Sequence, residues 1–244
     1  MASVYRWTRE ANSEASQLFS RAIELDPDFA SAYGMAAWCY AWRKWDGFMS
    51  DPARETAEAA RLARRAAELG KDDAVALCAG GYALAFAVED LDEGAALINR
   101  ALALNPNLVT AWHSSGWVAV YRGEFDVAIK HLEHAIRLSP LDRFNFRAQG
   151  GIAIAHFLAD RYGEATYWAE KAIREQPNYP LALRVAAVSS ALAGRPLDAQ
   201  KAMTHLRQLD PALRVSNFKD QVPLRRPEDL AKFAEGLRKA GLPE

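Results

Sequence analysis

The chain has 244 residues, 50% of them hydrophobic and 25% charged, a composition that supports a large core and excludes a disordered segment. Thirty basic side chains stand against thirty-one acidic ones, so no overall charge draws the chain to nucleic acid or to an anionic membrane. No run approaches the roughly 18 consecutive apolar residues of a membrane span, and Arg6, Arg9 and Glu10 leave no apolar signal-peptide core at the N-terminus.

Taken in order, the chain repeats one ending. It reads Ala22-Ile-Glu-Leu-Asp-Pro27, Ala66-Ala-Glu-Leu-Gly-Lys71, Ala101-Leu-Ala-Leu-Asn-Pro106, Ala135-Ile-Arg-Leu-Ser-Pro140, Ala172-Ile-Arg-Glu-Gln-Pro177 and Leu206-Arg-Gln-Leu-Asp-Pro211. The closing positions lie 44, 35, 34, 37 and 34 residues apart, so a period near 34 is kept with two insertions. Asp26-Pro27, Asn105-Pro106, Ser139-Pro140 and Asp210-Pro211 put a capping side chain before proline. Each pair is expected to end one helix and open the next.

The most regular unit runs from Asn107 to Pro140. Trp112, Ser115-Gly116, Ala128, Leu132, Ala135 and Pro140 fall at the spacing of a 34-residue helix-turn-helix unit and resemble the tetratricopeptide repeat. Small residues recur in register: Ala37, Gly81, Gly116, Ala153 and Ala187 on the first helices, and Ala15, Ala59, Gly94, Ala128, Ala165 and Ala199 on the second. The resemblance implies an all-α, right-handed α-solenoid (superhelix) with a C-terminal capping helix. Residues 1–211 form the array, as a partial first repeat 1–27 and repeats ending near 71, 106, 140, 177 and 211. Residues 212–226 are a linker, and 227–244 a capping helix and tail.

Counting back from Ala15 places Met1 near the sixth position of a first helix, so part of that helix is missing and Tyr5 and Trp7 lie near an uncapped end. Either the chain is the trailing part of a longer protein, or residues 2–12 fold as a short cap. The first long insertion, Ala41 to Pro52, carries Trp42, Trp45 and Phe48 close to Trp38, with loop and helix-start signals at Gly47, Asp51 and Pro52. These rings either form a binding feature or plug the gap left by an elongated helix. Three extra residues near Leu141–Ala148 read as an extended turn before a longer helix.

Function in such an array resides on the concave face lined by first helices. That face places Trp38 and Trp42, Tyr82 and Phe86, then His113, Trp117 and Tyr121 at a spacing of four. Arg147, Ile154 and Phe157 follow, then Arg184 and Val188. The groove is expected to hold a peptide or helix against its rings and to anchor an acidic group on Arg147 or Arg184; alternatively the rings pack first helix against first helix. Asparagines of the carboxylate-clamp type, which grips chaperone C-termini, are replaced by Tyr82, Trp117 and Ile154, so that partner is disfavoured.

Chemistry is sparse. Gly80-Gly81 and Gly150-Gly151 sit at close-packing helix positions and form no phosphate loop. His131 and His134 bracket Glu133 without a third metal ligand. His156 and His205 stand alone, and no serine lies in a nucleophile elbow. No catalytic residue, metal or cofactor is expected. Cys39 and Cys78 share no metal or redox spacing; buried free thiols and a cytoplasmic address are the reading.

The tail opens with Ala212–Phe218. Pro223 and Pro227 bracket Leu-Arg-Arg, and Arg225 and Arg226 form a small basic patch. Leu230, Phe233, Ala234 and Leu237 recur at helical spacing before Lys239 and Gly241, as expected of a closing helix. Tyr5-Arg-Trp-Thr-Arg9, Leu138-Ser-Pro-Leu-Asp142, Arg226-Pro-Glu-Asp-Leu230 and Glu235-Gly-Leu-Arg-Lys-Ala-Gly-Leu-Pro243 together resemble the C-terminal repeat region of bacterial class III adenylate/guanylate cyclases. Related tails also follow DNA-binding domains in bacterial regulators. This resemblance implies a regulatory or sensory module joined to a signalling output domain, and no residue of the cyclase catalytic domain has a counterpart here. The sequence therefore reads as a protein-interaction module. A small-ligand-sensing regulatory domain of a nucleotide cyclase-type enzyme, an enzyme of unknown type, and self-association through the incomplete first repeat are the competing classes, with no nucleic acid and no membrane among the partners.

Overall fold

The computed structural model describes residues 8–221, 224 and 226–244, and among them it contains twelve α-helices and no strand. Tyr5, Trp7, Pro223 and Arg225 lie outside the described residues. In order the helices are α1 (Arg9–Leu25), α2 (Ala30–Trp45), α3 (Pro52–Leu69), α4 (Ala74–Ala83), α5 (Leu91–Leu104), α6 (Val109–Arg122), α7 (Phe125–Leu138), α8 (Asn145–Leu158), α9 (Tyr162–Glu175), α10 (Pro180–Leu192), α11 (Pro196–Leu209) and α12 (Pro227–Lys239). The fold class is all-α, an α-solenoid of helical hairpins. Contacts divide the chain into two compact units, Met1–Ser115 and Gly116–Glu244.

In the first unit α1 is a second helix, and α2/α3 and α4/α5 are hairpins whose first helices, α2 and α4, lie side by side. The small residues make this possible. A methyl group on Gly94 would stand 2.6 Å from the Gly81 carbonyl oxygen, and one on Gly81 would stand 2.7 Å from that of Gly94, so α4 and α5 meet backbone to backbone. Ala37 and Ala59 are fully covered at the equivalent places.

The 35-residue interval has a local cause. After Ala83 the helix widens into a π-helical turn, Leu84–Val88, ending at a left-handed Glu89 with φ 73°. The Asp90 N–H closes it on the Leu84 carbonyl, six residues back, where the corresponding turns of α8 and α10 close over five, from Arg161 to His156 and from Arg195 to Ser190. A π turn absorbs one inserted residue without ending the helix. Lys44 of α2 braces it, donating to the Ala87 carbonyl (2.8 Å) and to Glu89 (2.7 Å).

The first long insertion extends α2 to 16 residues and adds a pinned loop before α3. Glu55 Oε1 accepts from the Ser50 N–H and hydroxyl (both 2.8 Å) and from the Asp51 N–H (3.2 Å), while Arg43 Nη1 reaches Oε2 at 3.3 Å. Arg43 Nε also donates to Asn12 Oδ1 (2.7 Å), and Asn12 Nδ2 donates to the Cys39 carbonyl (3.0 Å), tying α1, α2 and the loop together.

The residues before proline act differently from the sequence expectation. Asp26, Asn105 and Asp210 close helices, and their side chains accept the N–H two residues on, in Asp28 (3.1 Å), Asn107 (3.0 Å) and Ala212 (3.1 Å). These are Asx turns. The next helix begins farther along, at Ala30 after Pro27 and at Val109 after Pro106. Side-chain N-caps occur elsewhere, at Asp51, Asp73 and Asp90.

The second unit contains α7 and the hairpins α8/α9 and α10/α11. The three extra residues before α8 go entirely into the turn, because α8 has 14 residues, no more than α7 or α9. Asn145 Nδ2 holds that turn by donating to the carbonyls of Ser139 (2.9 Å) and Pro140 (3.1 Å). Beyond α11, Leu213, Val215, Phe218 and Leu224 are buried, and the Val215 N–H donates to the Pro243 carbonyl (2.9 Å), so both ends of the tail return to the same body.

Candidate protein-interaction surface

On a first helix the residue after the small one and the residue four further on share a side. In the first unit these residues form a connected run of rings. Trp38 lies 5.9 Å from Trp42 and 6.0 Å from Tyr82, and Tyr82 lies 4.4 Å from Phe86. Their depths differ. Trp42 is 1% exposed, edge-on to Phe48 at 6.4 Å with its indole N–H donating to Asp46, and Phe86 is likewise buried. Trp38, Tyr82 and His113 are half-buried, so part of each ring remains at the surface. The four rings from Trp38 to Phe86 therefore come together, with the inner pair supporting the outer pair. Val75, 38% exposed and two turns before Tyr82 on α4, adds apolar surface that sequence reasoning missed. Its signal was small, a lone valine at a helix start.

In the second unit the corresponding side chains are covered. Trp117 and Tyr121, 6.4 Å apart, are both buried, and so are Ile154, Phe157 and Val188. Arg147 is half-buried with its guanidinium 5.7 Å over Phe146, which meets Tyr179 edge-on at 5.0 Å. Arg184 is only 6% exposed. Burial lowers its pKa to about 10, against the opposing pull of Asp210 and Tyr179. A guanidinium so enclosed is part of the packing, and it does not stand open to a solvent-borne acidic group.

At Phe157 and Val188 the cover is the chain's own C-terminal helix. Gly236 of α12 seats against Val188, where a methyl group on the glycine would come within 2.7 Å of the valine Cβ. Phe233 meets Phe157 edge-on at 5.4 Å and stacks on Phe218 at 5.8 Å. Lys232 donates to the Leu158 carbonyl (2.8 Å) at the end of α8 and pairs with Asp160 (2.9 Å). At the start of α12, Arg226 lies against Gly123 and 5.7 Å over Phe125.

The chemistry-bearing residues stay apart. Burial raises the Cys39 thiol to about 12, with Arg43 opposing, and the Cys78 thiol to about 11, with hydrogen bonding to Thr110 and Ser114 opposing. Neither is a nucleophile near neutral pH. Burial lowers the pKa of His131, helped by His134, and among the described residues no three His, Cys, Asp or Glu side chains converge to hold a metal. No described helix is long and apolar enough to cross a membrane.

No family model matches the chain, and no curated protein matches it. Solved structures do. PilW, a widely conserved type IV pilus biogenesis factor, superposes with a TM-score of 0.65 at 19% identity over 87% of this chain and 92% of its own. PilF of Pseudomonas aeruginosa gives 0.62 at 16% identity, covering 87% and 90%. YrrB, a TPR protein with an unusual peptide-binding site, gives 0.54 at 19%, covering 81% and 94%. The fold is the tetratricopeptide-repeat (TPR) fold. In TPR terms α1, α3, α5, α7, α9 and α11 are second helices, and the ring run of α2 and α4 lies on a first-helix face.

Proposed function

We propose that this TPR chain is a protein-interaction module whose first unit holds a peptide or helix against Trp38 and Tyr82, with His113 a further half-buried residue of the same unit. One observation carries the reading: two half-buried aromatic rings, 6.0 Å apart on neighbouring first helices, rest on a fully buried second pair. Rigid aromatic anchors are the residue class that dominates binding energy at interfaces. The peptide-binding site of YrrB, on the same fold, supports the assignment by analogy. The test is selection of binding peptides on the immobilised full chain, followed by titration against Trp38→Ala and Tyr82→Ala. Each variant is expected to lose at least about tenfold in affinity, or about 1.4 kcal/mol, while the exposed Leu197→Ser control keeps it. Wild-type affinity in both ring variants would remove the site from this face.

The resemblance of the tail and turns to cyclase C-terminal repeats supports a regulatory or sensory place in a bacterial signalling protein. The two buried free thiols favour a cytoplasmic address.

A second reading, self-association, rests on α1. Phe19 and Ala22 are half-buried, whereas their equivalents, from Ala63 and Ala66 in α3 to Met203 and Leu206 in α11, are at most 3% exposed. Leu18 and Leu25 stand 53% and 72% exposed on the same helix. A second copy covering that face gives a dimer by light scattering that Leu18→Glu with Leu25→Glu dissolves; a wild-type monomer at high concentration rejects it.

A further inference from the structure

The residue after the small one on each first helix gives an internal comparison. In the first unit that residue is only half-buried, as Trp38 and Tyr82; in the second it is fully buried at Ile154 and Val188. At Val188 the cover is identified, because α12 lies on it.

The way α12 lies there is that of a helix received by a groove. Its buried residues, Asp229, Phe233, Gly236 and Leu237, fall on one stripe, and its opposite side carries Glu228, Glu235, Arg238 and Lys239 to solvent. Phe233 is the anchor, held between Phe157 and Phe218. Gly236 sets the distance, since Val188 leaves no room for a larger residue. Lys232 fixes the register by satisfying the terminal Leu158 carbonyl of α8 and pairing with Asp160, a cation at the negative pole of that helix. Asp229 marks the weak point. Burial raises its pKa, and Arg226 faces it only at 3.7 Å.

We propose that the first-helix face of the second unit is a helix-binding site in its own right, that α12 is its resident occupant, and that a partner helix of the same chemistry replaces α12 there. The partner carries an aromatic residue, glycine three places on, leucine four places on, and lysine immediately before the aromatic. Because α12 is tethered, it competes at an effective concentration on the order of millimolar, so the exchange is weak until the tethered helix is loosened. The proposal is independent of the Trp38–Tyr82 site, which lies in the other unit, and each fails or stands alone.

The test uses the full chain and a fluorescently labelled peptide of residues 226–244, read by anisotropy. Wild-type chain is expected to bind it weakly. Lys232→Glu, which removes the bond to Leu158 and places two carboxylates together at Asp160, is expected to bind it at least tenfold more tightly; Lys232→Met serves if that variant loses helicity by circular dichroism. A peptide carrying Gly236→Leu is expected not to bind either variant. Binding no tighter by a folded Lys232 variant than by wild type, or equal binding of the two peptides, overturns the proposal and leaves α12 a fixed part of the core.

Discussion

Gly94 and Glu55 show how single atoms hold the first unit. A methyl group at Gly94 has no space to enter, because what it meets is the Gly81 backbone and not the end of a flexible side chain. Gly94→Ala is therefore expected to cost about 1–3 kcal/mol despite the better helix propensity of alanine, measured as a lower midpoint in urea. Glu55 is buried, which alone would raise its pKa. Hydrogen bonds from the Ser50 hydroxyl, the Asp51 and Ser50 N–H groups and Arg43 outweigh this and hold it below the ordinary value. The folded-state pKa is thus lower than the unfolded one, so the stabilisation is complete above the ordinary carboxylate pKa and is lost as pH falls through the folded value. Glu55→Gln is expected to lower stability at pH 7 by about 1–3 kcal/mol, with the difference from wild type shrinking below about pH 4. A difference that stays constant down to pH 3 would contradict the assignment.

Among the elements, the π turn makes the sharpest claim. If Leu84–Val88 only accommodates one surplus residue, deleting Ala87 restores the spacing found in the other hairpins and leaves a folded chain, within about 2 kcal/mol of wild type by denaturant titration. Deleting Ala155 from the regular helix α8 rotates every following side chain of that helix by about 100° and is expected to unfold the second unit. Equal damage from both deletions refutes the insertion account. The surplus residue was not legible: an interval of 35 reads as the period itself, with insertions only in the 44- and 37-residue intervals, and Leu84–Val88 contains no glycine or proline to mark the extra residue. The repeat endings and small positions were legible because the chain restates them at every turn. The pairs before proline misled because Asp and Asn serve equally as N-caps and in Asx turns, and only the backbone separates the two roles.

At the scale of the whole chain, balanced charge gives no attraction for nucleic acid or an anionic membrane, and the resemblance of the repeat to the tetratricopeptide unit implied the fold. What sequence could not give was which parts of the first-helix face stay open. Trp42 and Phe86 read the same as Trp38 and Tyr82, since a spacing of four names a side of the helix and not a depth. Arg184 read as a solvent anchor, yet it sits within Leu181–Ser190, a stretch buried at every residue. The seat of α12 was equally hidden, because Gly236 and Val188 lie far apart in sequence and outside the repeat period. The account proposed is of a chain of TPR fold whose first unit offers the partly exposed rings Trp38 and Tyr82 and whose second unit has its own C-terminal helix lying on Phe157 and Val188. The measurement that tests it most directly is hydrogen exchange of the full chain with and without a selected peptide bound. Protection is expected in α2 around Trp38 and in α4 around Tyr82, with α12 unchanged. Protection confined to the second helices, or spread evenly over both units, would contradict it.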